Sequence, residues 1–338
     1  MGVPRFSFSV ATILVFASSL YADSPAERLL KQSDDWFQSE EGRIAVSHIL
    51  SWQTQHGDWP KNTDTVRQPF PKGNKKPAGT FDNGATTVEL RVLSRAYRVT
   101  GDERYKEAFQ RGFDHILAAQ YPNGGWPQFY PLSKNYHRHI TFNDGSMIRL
   151  LQFLRDVALE SQDDCLDTKR RLLARNAFER GIKCIVNCQV VVDGKRTVWC
   201  AQHHAETLAP VQARSYEHPS LSGGESAGIL VFLMSLDDPS PEVIQAVRAG
   251  VNWYEASKIE GIRYRKSRSE PALISDPQAP PLWARFYEIE TNRPIFSDRD
   301  GVIKYDIEDI GEERRGGYTW YGSWGVDVFK TYTKWPHR

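Results

Sequence analysis

The chain has 338 residues, 40% hydrophobic and 25% charged, with 43 lysines and arginines against 42 aspartates and glutamates. These proportions exclude a disordered, collagen-like or multi-span membrane chain, and a formal charge of +1 gives no broad electrostatic case for nucleic acid or an anionic membrane. The unusual feature is 10 Trp, 14 Tyr and 16 Phe beside 24 Gly and 19 Pro. That mixture suits carbohydrate binding, because sugar rings stack C–H faces on aromatic planes, although most such rings in any protein are core.

In chain order, Arg5 gives a short basic start, Phe6 to Leu20 is apolar, and small residues follow at Ala17-Ser18-Ser19 and Ala22 before the polar Asp23-Ser24-Pro25. This reads as a secretory signal peptide over residues 1–22, followed by one domain over 23–338 with no membrane attachment once the leader is cut. A secreted or periplasmic monomer is expected.

Helical periodicity then dominates from residue 35 to about 257. A helix is expected over 36–55. Val88, Val92, Leu93, Ala96 and Tyr97 mark the apolar face of the next, which Gly101 ends; Ala108, Phe109, Phe113, Ile116 and Leu117 mark another. Further helices are expected over 144–160, 169–187, 224–236 and 241–257, the last capped by Ser240 with Pro241 at its first position. Val190–Val192 and Thr197–Trp199 flank Asp193-Gly194 as a hairpin, and the tail after 257 has little periodicity. Of the four cysteines, Cys184 and Cys188 lie one helical turn apart, a spacing of core neighbours and poor for a disulfide; no CxxC pair suggests zinc.

A degenerate repeat follows the helix ends: Gln55-His56-Gly57-Asp58-Trp59-Pro60, then Gln120-Tyr121-Pro122-Asn123-Gly124-Gly125-Trp126-Pro127, with Trp199-Cys200-Ala201-Gln202-His203 as a third relative. Repeated helix pairs bury their faces on neighbours, and a steady rotation between units gives an all-α toroid of three α/α hairpins with long loops and a few short strands.

Three segments could carry chemistry. Thr80-Phe81-Asp82-Asn83-Gly84-Ala85 and Thr141-Phe142-Asn143-Asp144-Gly145-Ser146 each set Asp beside Asn before a helix. N-capping would account for either alone. Together on one rim, their hard oxygens suit a calcium ion completed by water and a ligand carboxylate. The third, Ala213-Arg214-Ser215-Tyr216-Glu217-His218, places an arginine in a loop, and the tail adds Arg285 and Arg299. Arginine forks grip carboxylates bidentately, so several on one groove suit an acidic polymer; Arg314-Arg315 reads as structural, paired with Glu312 and Glu313.

The strings TFDNGATT, YPNGGWPQFYPL, HITFNDGSM, ARSYEHPSLSGGES, RFYEIETNRPIFSDRDG and YTWYG, in this order from about residue 36 to 330, resemble the family-10 pectate lyases. The resemblance implies a secreted toroid of three hairpins that cleaves polygalacturonate by calcium-assisted anti β-elimination. It implies Asp82, Asn83 and Asp144 as the calcium and active-site oxygen ligands, Arg214 as the base, and Arg285 and Arg299 as the arginines that engage uronates. The family pattern would put an aspartate where this chain has His204. The chemistry is reasonable for these residue types: a galacturonate C5 proton is weakly acidic, and a cation with an arginine fork on the C6 carboxylate stabilises the enolate-like charge of the transition state. A free arginine has a pKa above about 12, so crowding by cations would have to lower it, an alkaline optimum would follow, and His203 is the reserve base. Two other readings stay open: a toroidal glycoside hydrolase using Asp82 and Asp144 without metal, and a non-catalytic pectin-binding protein.

Overall fold

The computed structural model describes residues 23–159, 165–268 and 271–338. The leader expected over residues 1–22 lies outside them. Among the described residues, three short helices, α1 (Pro25–Leu29), α2 (Asp34–Gln38) and α3 (Glu40–Trp52), precede three hairpins. These are α4 (Thr87–Thr100) with α5 (Glu103–Ala119), α6 (Ser146–Leu159) with α7 (Thr168–Cys188), and α8 (Glu225–Met234) with α9 (Pro241–Ala256). The first helices of successive hairpins touch each other and so do the second helices, which is the expected α/α toroid. Two short helices, α10 (Glu312–Gly317) and α11 (Trp324–Tyr332), end the chain, and α11 packs on α8 and α9.

Local chemistry sets the boundaries. Thr86 and Glu89 form a capping box at the start of α4, and Gly101, at φ 68°, ends it; Asp102 and Ser240 cap α5 and α9. The helix expected over 36–55 is instead two. Ser39 is extended, closes α2 with its backbone N–H, and opens α3 by accepting from the Gly42 N–H at 3.1 Å. Periodicity does not register a break that keeps both apolar faces on the same side.

The repeat is deeper than its sequence trace. Gln53, Gln120 and Gln189, each just past a second helix or its equivalent, donate from Nε2 to their own return loop and to Ala108, Ala177 and Ala246 of the next helix along. Trp59, Trp126 and Trp199 are fully buried and donate from Nε1 to the carbonyls of Ile49, Ile116 and Ile185. The expected third copy is therefore real. A fourth, Trp283 donating to the Tyr254 carbonyl, passed unread in the tail. Gly112, Gly181 and Gly250 face Leu90, Leu151 and Leu230 of the partner helix so closely that an added Cβ would come within 2.4–2.7 Å of a leucine methyl.

The tail crosses the helix ends as short antiparallel pairs. Leu221–Ser222 pairs with Phe286–Tyr287, and Trp283–Ala284 pairs with Tyr321–Gly322, which brings Arg285 beside the start of α8. The hairpin turns at Asp193 and Gly194, both at positive φ, but its strands are Val191–Val192 on Lys195–Arg196, closer to the turn than the expected Thr197–Trp199. All four cysteines are buried, and the sulfurs of Cys184 and Cys188 lie 4.0 Å apart.

Candidate active site

The two Asp/Asn segments fold into matching 3₁₀ turns, Asp82–Gly84 and Asn143–Gly145, that pack against each other. In each, the middle residue is left-handed: Asn83 at φ 53°, ψ 29° and Asp144 at φ 52°, ψ 24°. Asn and Asp tolerate that region better than other residues with a Cβ, at a local cost that is common at functional sites. Asn83 is thus the counterpart of Asp144, and Asp82 the counterpart of Asn143. None of Asp82, Asn83 or Asp144 caps a helix by its side chain; α4 is capped by Thr86.

Asp82 is buried. Its Oδ2 accepts from Lys61 Nζ and, at 2.5 Å, from Gln128 Nε2, and its Oδ1 accepts from the Asn83 N–H. Asn83 is exposed and donates to Asn62 Oδ1 at 3.2 Å. Asp144 is held by Asn143 Nδ2 at 2.8 Å, and Arg285 Nη2 stands 4.0 Å from its Oδ1. Burial pushes the Asp144 carboxyl up from its ordinary range, Glu225 and Asp82 push further, and Arg285 and Arg214 oppose them.

Two of the three candidate arginines, Arg285 and Arg214, are gripped by buried carboxylates. Arg285 donates from Nη2 to Glu225 Oε1 at 2.6 Å, and the Ser222 hydroxyl donates to Glu225 Oε2. Arg214 forks onto Glu217, Nε to Oε2 at 2.8 Å and Nη2 to Oε1, while its own backbone N–H donates to Oε2 at 3.2 Å. The Tyr318 hydroxyl completes the shell of Glu217 at 2.7 Å. The Tyr318 ring then lies beside both guanidinium groups, 5.5 Å from Arg214 and 5.0 Å from Arg285. Burial disfavours the charge on each arginine, but Glu217 and Glu225 outweigh it and raise both above the ordinary guanidinium value. The protein groups around Arg214 therefore favour its charged form, and any lowering would have to come from a bound cation. Burial raises Glu217 and the Arg214 fork overrides it, holding that carboxyl below its usual range.

Arg299 is more peripheral. Its side chain is 66% exposed, paired with Glu313 at 3.2 Å, and 5.9 Å from the Tyr216 ring that Arg214 and Arg314 also face. Arg314 pairs with Glu313 as expected, and Arg315 with Glu308. His203 does not fit the role of reserve base. It is fully buried, its Nε2 accepts from the Cys200 N–H at 3.1 Å, its Nδ1 lies 2.8 Å from the Leu208 carbonyl, and burial pushes its pKa down to about 4. His204 faces the adjoining turn, where Nδ1 is the acceptor for the N–H groups of Glu206 and Thr207 at 3.3 Å each. An aspartate there would accept in the same way, so the departure from the family pattern keeps the local bonding.

Among the described residues, no three His, Cys, Asp or Glu side chains close on a common point. Asp82 is committed to Lys61 and Gln128, whereas Asp144 sits in a local excess of negative charge from Glu225 and Asp82. That donor set fits a hard cation held by few protein oxygens and completed by water and a bound carboxylate; it does not make a preformed cage. The arrangement as a whole can bind carboxylates and stabilise charge developing on them. Lys61, Gln128, Glu217, Glu225 and Tyr318 were not singled out from the sequence for this site. Tyr318 and Glu217 lie inside strings already noted, but nothing in their spacing joins them.

A family model described as pectic acid lyase matches residues 53–329. Among solved structures, the family 10 polysaccharide lyase from Cellvibrio cellulosa is 36% identical, with 90% of this chain and 96% of that chain covered and a TM-score of 0.81. A mutant of that lyase in complex with trigalacturonic acid is 35% identical, with 92% and 98% covered and a TM-score of 0.80. A search of curated proteins returns no match.

Proposed function

The chain belongs to the pectic acid lyase family and is a family 10 pectate lyase; on that premise we propose that it cleaves (1,4)-α-D-galacturonan by calcium-assisted anti β-elimination, giving 4,5-unsaturated oligogalacturonates. The observation that carries this reading is the convergence of the two matched turns with two carboxylate-gripped arginines, joined through the 4.0 Å approach of Arg285 to Asp144. The trigalacturonic acid held by the mutant Cellvibrio lyase supports the substrate class.

In this reading Asp82, Asn83 and Asp144 would hold calcium, and a bound calcium would neutralise the uronate carboxylate and so acidify C5. Arg285 and Arg299 orient the uronates through the donors their carboxylate partners leave free. Arg214 takes the C5 proton as the C5–H bond breaks; the C4–C5 double bond forms; the C4–O bond breaks on the opposite face, and the departing oxygen takes a proton from water. Because Glu217 favours the charged form of Arg214, the rate climbs toward alkaline pH. The arginine pair favours this chemistry over a metal-free hydrolase. The apolar leader-like start supports export to the periplasm or beyond, with mass analysis of the mature protein as the check.

The test is growth of ultraviolet absorbance on polygalacturonate at alkaline pH, with calcium and then with excess chelator, alongside calorimetric titration of calcium into the protein with and without trigalacturonate. A rise that chelator stops, with calcium binding strengthened by trigalacturonate, is expected. A rise indifferent to chelator would remove the metal, and reducing ends without absorbance would mean hydrolysis.

A further inference from the structure

Arg214 carries a constraint that its role does not by itself require. Two of its three guanidinium nitrogens, Nε and Nη2, lie along one edge of the group and both donate to Glu217. The ring centroids of Tyr216 and Tyr318 lie 4.9 and 5.5 Å from the guanidinium carbon, with the two rings at 74° to each other, which confines the group from two directions. Nη1 donates to no described residue. A planar group held along one edge and packed against two crossed rings has one nitrogen left to present.

Glu217 is itself fixed. Its side chain is 7% exposed against 42% for Arg214, so the carboxylate is the anchored partner and the guanidinium the outward one. Four donors converge on it: Arg214 Nε, Nη2 and backbone N–H, and the Tyr318 hydroxyl. Tyr318 comes from 101 residues further along the chain, so the tail locks a loop that would otherwise orient only itself. We propose that Glu217, anchored by Tyr318, is a positioning residue that sets the Arg214 guanidinium edge-on and selects Nη1 as the nitrogen presented to the substrate. This rests on the lyase reading above.

The charged and titratable groups that face Arg214 are Glu217, Tyr216, Tyr318, Tyr136, Asp144 and Arg314. Of these, Glu217 alone is bonded to the guanidinium and favours its charged form most strongly. Removing its charge makes Arg214 easier to deprotonate, and removing its grip lets the guanidinium swing. Below the guanidinium's own titration the first raises the rate and the second lowers it, so a net fall in kcat at unchanged KM reports the lost grip.

The experiment compares the full-length enzyme with Glu217→Gln and Tyr318→Phe on polygalacturonate from pH 6 to 11, with thermal melting of each protein. Glu217→Gln should lower kcat about 30-fold across that range and keep KM within about twofold. Tyr318→Phe, which removes only the hydroxyl, should lower kcat by about 3- to 10-fold at unchanged KM. A Glu217→Gln kcat within twofold of wild type, or above it, across that range overturns the proposal. Should Glu217→Gln melt before assay, Tyr318→Phe decides, and an unchanged kcat overturns it. A wild-type enzyme inactive on polygalacturonate would instead bring down the lyase reading, before either variant is compared.

Discussion

Arg285 and Glu225 form a buried ion pair, Nη2 to Oε1 at 2.6 Å, with side chains 15% and 4% exposed. The pair joins the tail of the chain to the first turn of α8, and its arginine reaches on toward Asp144. Glu225 therefore fixes where a substrate-binding guanidinium sits, and would be stranded as a buried charge if that guanidinium were lost.

Arg285→Ala should then damage two properties together. Breaking a buried pair from one side costs about 3–5 kcal/mol, so the melting temperature should fall, and KM for oligogalacturonate should rise at least tenfold. Adding Glu225→Gln should restore most of the stability and none of the affinity, as chemical denaturation and a binding titration of the double variant would reveal.

Arg214→Ala should abolish turnover, by about a thousandfold or more, while oligogalacturonate still binds in the presence of calcium. His203→Gln should leave kcat within a few-fold once the folded fraction is matched, because both ring nitrogens of His203 serve the backbone. A His203 variant as dead as Arg214→Ala would reverse that assignment.

Asp144 is an acid whose carboxyl is raised by burial and by its acidic neighbours, so the folded protein loses stability as pH rises through that group's titration. Asp144→Asn should raise the melting temperature at neutral pH by about 1–3 °C and raise the calcium needed for half-maximal rate. The two measurements together distinguish a ligand from a merely structural turn residue, for which stability would fall.

Glu89 offers a cleaner titration. It is buried and pushed up to about 7, chiefly by desolvation, although it accepts from the Thr86 N–H and the Thr65 hydroxyl. A raised acid contributes stability that is whole below the unfolded value near 4.5 and lost as pH rises through about 7. Glu89→Gln should flatten the stability profile between pH 5 and 8 by about 3 kcal/mol, measured by denaturant unfolding at each pH.

Gln189→Ala removes two buried hydrogen bonds, to the Thr197 and Ala246 carbonyls, each 2.9 Å. The cost should be about 2–3 kcal/mol and a melting temperature lower by several degrees, with kcat unaltered in the folded fraction.

The hairpins and both turns were legible because their signals are local: apolar residues at helical spacing, Gly before Trp, Asp beside Asn. The partners of the arginines were not. Glu225 and Arg285 are 60 residues apart, and Glu217 and Tyr318 are 101 apart, so only the tail's return across the helix ends brings them together. His203 misled for a related reason, since a histidine in a polar string looks available until its neighbours are seen to use both nitrogens. The break at Ser39 escaped because a cap that serves two helices leaves the apolar rhythm intact.

The glutamines that bridge successive hairpins bear on how the molecule comes apart. Gln53, Gln120 and Gln189 each hold a neighbour's helix as well as their own loop, so loosening one unit frees polar groups in the next. A stack joined only by apolar faces can peel from an end, unit by unit. One laced by buried polar ties between its members is driven toward a single concerted transition, and amide exchange in the second helices α5, α7 and α9 should slow to one shared opening rate.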